Sequence, residues 1–175
     1  MHRTRQAASL AIVLIGALSL GAPPAQAGRA ADPPPALPAD EEVLCGTVDA
    51  IDFPFPDVGR GGWSVRYSYG YLRPGWGHHA GEDWFRSRGD SYGQPVRAIA
   101  NGRVTYSELY GWGNDKGVVI IEHTLRDEST VYSVYGHLEE VSGYYLPEAG
   151  VCVRRGDIIG AVGRPRSAPH LHLEI

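Results

Sequence analysis

The sequence has little of what would place it in several common classes of protein. Long helical periodicity and internal repeats are absent from its 175 residues, which disfavours helical architectures. Basic residues are in the minority, with 16 Lys and Arg against 20 Asp and Glu, so the basic face that a nucleic-acid partner needs is lacking. Only Cys45 and Cys152 are present, and neither has a CxxC partner, which makes a cysteine-based metal site improbable on this spacing.

The N-terminal 42 residues have the composition of a leader and a spacer. A basic start, MHRTRQ, precedes an apolar run over 7–22, which is shorter than the roughly 20 residues of a membrane-spanning helix. Ala25–Gln26–Ala27 then fits a cleavage site, so we predict a signal peptide over 1–27 rather than an uncleaved anchor. No Cys follows the apolar run, which argues against a lipid anchor. Pro-rich residues 28–42 are interpreted as a spacer, and 43–175 as one domain that is secreted, periplasmic or cell-wall associated.

The two cysteines admit two interpretations. In the oxidising compartment that an exported chain reaches, Cys45 and Cys152 would form a disulfide that ties the start of the domain to a late strand. The alternative is a pair of buried thiols. The pattern favours the disulfide.

Short β-branched runs between turn residues predict an all-β domain. Residues 96–109 suggest two short strands around an Asn101–Gly102 turn, and 117–125 with 130–138 suggest a longer hairpin. The first strand of that hairpin is apolar on both faces at its centre, which predicts a position inside the sheet. Two more short strands are expected within 150–163, and a last strand in HLHLEI.

Two histidine motifs stand ninety residues apart. His170 and His172 would share one face of the last strand, as residues i and i+2 do, although such polar pairs are also common on half-exposed strands. His79 and Asp83 flank Gly81 in what we interpret as a turn that enters a strand. Taken separately, this pair is also consistent with a turn-capping Asp and a surface His.

Together the two motifs supply the ligand count of a catalytic zinc site. Such a site uses three protein ligands and keeps one position open, and His79, Asp83 and one histidine of the late pair provide them. Hydrolysis also requires groups that accept protons and stabilise an oxyanion. The other histidine of the pair, and His137 in YGHL, have that chemistry.

Several ordered motifs resemble the lysostaphin/LytM-type zinc metallopeptidases, peptidase family M23. The family carries HxGxD, then a lone His in a YxHL-like strand, then HxH in PHLHFE; this chain has HHAGED, YGHL and APHLHLEI in the same order. GQPVRAIANGRVTY, GVVIIEHT and VRRGDIIGAVG also resemble family strands. The resemblance covers residues 63–175. It implies a mainly β fold, an antiparallel sheet of the lysostaphin type (the duplicated hybrid motif) with loops that wall a groove.

The resemblance also implies roles for five residues. His79 and Asp83 match the first two zinc ligands and His172 the third, for one Zn²⁺ per chain. His137 and His170 match the catalytic pair that polarises water and stabilises the oxyanion. The family activity implies hydrolysis of peptide bonds in bacterial peptidoglycan stems or cross-bridges. From charge and the predicted signal peptide, we expect no nucleic-acid partner and no stable membrane anchor.

Other candidates receive structural interpretations. His78 is expected at the surface or beside the ligands, and His123 in a structural position. Glu174 shares the face of His170 and His172 and is a candidate acceptor behind them, although a solvated strand end is the favoured interpretation. Four aromatic residues are candidates for a substrate groove, with ordinary sheet packing favoured for each: Trp76, Trp84, Tyr106 and Trp112.

Three departures from the family pattern qualify this prediction. GRPRSAPHLHLEI lacks the TG and STG glycines before HxH, which affects substrate preference more than zinc binding. Residues 139–150 form a longer segment than usual. Family members normally continue past HLHFE, so the domain is either truncated at its C-terminus or compact. A non-catalytic relative that regulates other wall hydrolases, and a different zinc hydrolase, are the alternatives.

Overall fold

The computed structural model describes residues 45–59, 61–141 and 143–175. The predicted signal peptide and spacer lie outside these residues. The regular structure of the described part consists of strands and a single-turn 3-10 helix at Gly113–Asp115. The described part contains no helix long and apolar enough to span a membrane. The strands are β1 Trp63–Tyr67, β2 Leu72–Arg73, β3 Gly77–His78, β4 Glu82–Arg86, β5 Pro95–Arg97, β6 Gly102–Glu108, β7 Gly117–Thr124, β8 Thr130–Glu139, β9 Cys152–Val153, β10 Ile158–Val162 and β11 Leu171–Glu174.

The main sheet has nine strands, and the pairs between these strands are antiparallel. Its central path runs β1–β4–β11–β8–β7–β6–β9, with β10 beside β8 and β5 beside β10. β2 and β3 form a separate hairpin. The predicted mainly β fold is therefore confirmed. The last strand, β11, lies between β4 and β8, so the topology brings the HLH motif directly beside the strand that follows HAG.

The β7–β8 hairpin agrees with its prediction. β7 lies between β6 and β8, as expected for a strand that is apolar on both faces, and Val119 and Ile121 are fully buried. The connecting turn is closed by a hydrogen bond of 2.8 Å from Leu125 N to Ser129 O. Asp127 Oδ1 accepts from Ser129 N at 3.2 Å, so the polar turn is also held by a side chain.

Both short strands predicted within 96–109 are present as β5 and β6, but the predicted hairpin turn between them was wrong. β5 pairs with β10, whereas β6 pairs with β7 and β9, so the two strands do not pair with each other. A type I′ hairpin turn needs positive φ at both central residues, and neither Asn101 nor Gly102 has it. Asn101 instead accepts a hydrogen bond of 2.9 Å from Arg155 N, and a Cβ on Gly102 would stand 2.3 Å from Glu122 O. This Gly is required for close packing rather than for a turn.

His123 occupies the structural position expected of it. Its ring is buried, and Nδ1 donates to Asn101 O at 2.8 Å while Nε2 lies 2.7 Å from Ser133 Oγ. Ser133 in turn lies 3.1 Å from the Tyr135 hydroxyl, which accepts from Ile99 N. Burial lowers the pKa of His123 and raises that of Tyr135 to about 12, so both groups are neutral at pH 7.

Cys45 and Cys152 form a disulfide, so the thiol alternative was wrong. The bond joins the beginning of the described chain to β9 at the edge of the sheet. Residues separated by 107 positions are thereby linked. The site strands β4 and β11 lie at the other end of the strand order.

Candidate metal centre

Strand pairing brings the two histidine motifs together. In the register of β4 and β11, His172 stands opposite Asp83, and both side chains are buried. His79 precedes β4 and is also buried. The bend at Gly81 makes the approach close, because a Cβ there would stand 2.4 Å from Leu173 O and 2.8 Å from His172 Nε2.

Three ligand atoms face one another at this point. Asp83 Oδ1 lies 3.0 Å from His79 Nε2 and 2.9 Å from His172 Nδ1, and the two nitrogens are 2.9 Å apart. They are the donor atoms of a His/Asp/His cluster in which all three residues are buried. Imidazole nitrogen and carboxylate oxygen are ordinary zinc ligands.

The outer contacts of both rings leave the facing nitrogens unprotonated in the neutral state. His79 Nδ1 donates to Ser68 O at 3.2 Å, and His172 Nε2 donates to Glu174 Oε1 at 2.9 Å. Three lone pairs then converge, and a cation between them would remove their mutual repulsion. The donor set therefore fits a zinc ion.

The charges in the cluster are strongly coupled. Burial raises the pKa of Asp83, but hydrogen bonds and charges from His170, His172 and His79 outweigh it and hold the pKa well below its usual value. The pKa of His172 is raised, because the carboxylates of Asp83 and Glu174 outweigh the effect of burial, which lowers it. The cluster is thus anionic at its carboxylate and attracts positive charge.

His170 and His137 lie beside the cluster with their outer nitrogens fixed in the same way. His170 Nδ1 donates to Ala168 O at 2.7 Å, and His137 Nδ1 donates to Asp115 O at 2.7 Å. The ring centroids are 4.5 Å apart, and His170 Nε2 is 3.4 Å from Asp83 Oδ1. Burial lowers the pKa of His137 to about 4, so its Nε2 is a proton acceptor at neutral pH.

His137 reaches this position through a β-bulge. The register of β7 and β8 shifts between Gly117 and Val118, which pair with Leu138 and Gly136, so His137 has no partner residue. Its φ is 63°, a left-handed conformation that costs a non-Gly residue about 1–3 kcal/mol. Bulges redirect side chains beside active sites, and the sequence contains no signal for this one.

An open groove of about 770 Å³ lies over the cluster. The β2–β3 hairpin forms one wall, and Trp76 at its tip is 84% exposed. The other three aromatic candidates differ in position: Trp84 is in the core, Tyr106 lines a separate depression, and Trp112 packs against His137 and His172 with ring centroids 5.2 and 5.4 Å apart. Only Trp76 of the four therefore lines this groove.

Two arginines that belong to no recognised motif also lie in the groove. Arg73 on the β2–β3 hairpin donates to Asp83 Oδ2, the carboxylate oxygen that faces away from the histidines. Arg166 forms a two-pronged contact with Asp115 and lowers the pKa of that carboxyl to about 2. His78 is exposed and its Nδ1 donates to Gly70 O at 3.0 Å, outside the cluster.

Residues 77–175 match the sequence profile of Peptidase family M23. This match covers more than half of the chain. The chain belongs to peptidase family M23. The predicted family is thereby confirmed, and the coarse assignment of a metallopeptidase family with it.

Solved structures of M23 peptidases agree. The catalytic domain of lysostaphin from Staphylococcus simulans is 30% identical, with 63% of this chain and 77% of that chain covered and a TM-score of 0.50. A zinc-containing peptidase from Vibrio cholerae has a TM-score of 0.53 at 24% identity over 72% of this chain, which supports the fold alone. No curated protein matches. The M23 chain described here spans 42% of the length of whole lysostaphin and 36% of the Vibrio peptidase.

Proposed function

We propose that this M23 protein is an exported zinc metalloendopeptidase that hydrolyses peptide bonds in peptidoglycan stems or cross-bridges. The observation that carries the proposal is the convergence of three lone-pair atoms from His79, Asp83 and His172, of which Asp83 also lines an open groove. A buried cluster of this kind is costly unless a cation occupies it. We assign these three residues as the ligands of one Zn²⁺.

A bound zinc ion would supply a Lewis acid that polarises a carbonyl group and acidifies water. His137 and His170 are proposed as the catalytic residues, because a backbone carbonyl holds the Nδ1 of each ring and Nε2 is left on the side of the cluster. One such nitrogen accepts a proton as water attacks a peptide carbonyl, and the protonated ring then donates to the oxyanion or to the leaving amine. Trp112 packs against the His137 and His172 rings and limits their movement.

The assignment of substrate and location rests on several observations. Lysostaphin is an antimicrobial peptidase, and its catalytic domain is similar to this chain. The groove is open, has a volume of about 770 Å³ and is lined by His137, His170 and Asp83. A signal peptide over 1–27, a spacer over 28–42 and a peptidase domain over 43–175 are proposed from the sequence alone. The Cys45–Cys152 disulfide suits the oxidising compartment that export implies.

The non-catalytic alternative is disfavoured by the complete set of motif residues. All five are present, and their side chains lie next to one another. A regulator of other hydrolases has no need of two oriented histidines beside a set of metal-ligating side chains. We therefore propose catalysis as the function.

Metal analysis and product analysis of the purified mature chain test this proposal together. The expected result is one zinc per chain and defined peptide fragments from purified peptidoglycan, identified by mass spectrometry. His79→Ala and Asp83→Ala should lose both zinc and activity. His137→Ala should keep zinc and lose turnover by about 10²- to 10⁴-fold, the contribution of a proton-transfer group.

His78→Ala is the matched control, because His78 neighbours a ligand and points away from the cluster. It should keep zinc and activity. Loss of zinc in His137→Ala as complete as in His79→Ala would contradict the roles assigned here. A wild-type chain without zinc, or without a cleavage product from any peptidoglycan tested, would contradict the function.

A further inference from the structure

A second bulge lies at the edge of the site, on β1. In its register with β4, Val65 stands opposite Trp84 and Tyr67 opposite Asp83, so Arg66 is the residue without a partner. β1 is paired with β4, and β8 is paired with β11, so the two bulged strands flank the two strands of the site. The bulge on β8 is the one that contains His137. Bulges beside active sites redirect side chains. Arg66 lines the same groove as His137.

The guanidinium of Arg66 is held on an aromatic ring that leads to the histidine pair. Its central carbon lies 4.4 Å from the centroid of Phe85, and the Phe85 ring is stacked with His170 at 4.8 Å. A cation–π contact holds a guanidinium over an aromatic face and leaves N–H groups available to other partners. Arg66 is thus held in the groove, and the Phe85 ring connects it to His170.

Of the three arginines that line the groove, Arg66 has no carboxylate partner among the described residues. Among the described residues, the other two groove arginines have carboxylate partners: Arg73 pairs with Asp83 and Arg166 with Asp115. No described carboxylate lies within ion-pair distance of Arg66, whose side chain is exposed. An oriented guanidinium without a partner, in a protein of net charge −4, suits an anionic ligand.

We propose that Arg66 binds a free carboxylate of the substrate and is a specificity-determining residue. The substrate class is then a peptide that carries a carboxylate within about three residues of the bond to be cleaved, given about 3.3 Å for each extended residue. A neutral bridge of small residues would leave Arg66 unpaired. This inference rests on the proposed endopeptidase function and names the charge of its substrate.

The test uses two cross-linked stem-peptide fragments that differ only in conversion of the free carboxylates to amides. Wild type should cleave the acidic fragment with a kcat/KM roughly tenfold higher, the range of one charge-assisted hydrogen bond. Arg66→Gln should lose that preference by slowing on the acidic fragment alone, and Arg66→Lys should retain part of it. Arg126→Gln in the exposed β7–β8 turn is the matched control and should change neither rate.

An equal loss on both fragments in Arg66→Gln, or no loss on either, would overturn the inference, because packing on Phe85 does not distinguish acid from amide. Dissociation constants for reduced-amide analogues, which cannot be hydrolysed, separate the two proposals. If wild type cleaves neither fragment but binds the acidic analogue more tightly, and Arg66→Gln removes the difference, the function fails and this inference stands. Equal dissociation constants in wild type would overturn it whatever the cleavage result.

Discussion

Glu174 sets the orientation of a proposed zinc ligand, although a solvated strand end was the favoured interpretation from sequence. Its contact with His172 Nε2 directs Nδ1 of that ring toward Asp83. Acceptors behind metal-bound histidines fix the tautomer and raise the basicity of the ligand, and their loss costs about 10- to 100-fold in metal affinity.

Glu174→Ala should therefore weaken zinc binding by about 10- to 100-fold while the fold is retained. Glu174→Gln should have a smaller effect, because its amide oxygen can still accept the N–H. Competition with a chromogenic chelator measures the affinity. Glu108→Ala, at an exposed position far from the cluster, is the control. An unchanged zinc affinity in Glu174→Ala would show that β11 alone orients His172.

At the scale of single residues, the sequence predicted the members of the cluster better than their surroundings. His79, Asp83, His137, His170 and His172 lie in short motifs, and the structure brings them together. Arg66 and Arg73 have no such motif: their positions depend on a bulge and on the small β2–β3 hairpin. Neither feature has a hydrophobic period that could be recognised in a sequence.

At the scale of elements, Gly136 on β8 makes room for Trp112 against the histidine rings. A Cβ at this position would stand 2.1 Å from the nearest atom of the Trp112 ring. The indole contacts both His137 and His172, so a change at Gly136 reaches two members of the site.

Gly136→Ala should displace Trp112 and lower turnover by about tenfold or more, as small misplacements of catalytic groups do. Zinc content should fall less than turnover, because the proposed ligands His79 and Asp83 lie before and in β4 and the His172 ring is also held by Glu174. Tryptophan fluorescence reports the displacement, and steady-state kinetics report the loss. Trp112→Leu, which removes the same ring packing without a clash, should also lower turnover and serves as the comparison. If Gly136→Ala had wild-type fluorescence and turnover, the close contact would have no functional role.

Strand order was harder to predict than strand position. The β7–β8 hairpin follows from two apolar runs with a polar turn between them. β5 and β6 are also adjacent in sequence, but their partners come from the segment after residue 150. Long-range pairing of this kind is decided by packing, as at Gly102, and a local turn preference is too weak to oppose it.

At the scale of the whole molecule, stability should depend on pH through the histidines of the site. The folded state holds the pKa of His137 at about 4, against 6.5 for an ordinary histidine. Between these values the unfolded chain binds a proton that the folded chain does not, so stability decreases as the pH falls. His172 has a raised pKa and shifts stability in the opposite direction.

A comparison with His137→Gln isolates this contribution. In metal-free protein, the free energy of unfolding of wild type should fall between pH 7 and pH 5 by about 2 kcal/mol more than that of the variant. Urea denaturation at the two pH values measures the difference. An equal fall in both proteins would mean that His137 is as easily protonated in the folded state as in the unfolded one.

The disulfide should contribute to the stability of the domain and not to its chemistry. In the chain-entropy description, a crosslink over this separation contributes on the order of 4 kcal/mol, because it restricts the unfolded chain. The bond lies on β9, with β6, β7 and β8 between it and the strand that carries His172.

Cys45→Ala/Cys152→Ala should therefore lower the melting temperature by on the order of 10 °C. Zinc content and low-temperature turnover should be unchanged. Calorimetry, metal analysis and kinetics at 10 °C check the three quantities, and loss of zinc at that temperature would show that the far edge of the sheet supports the site after all.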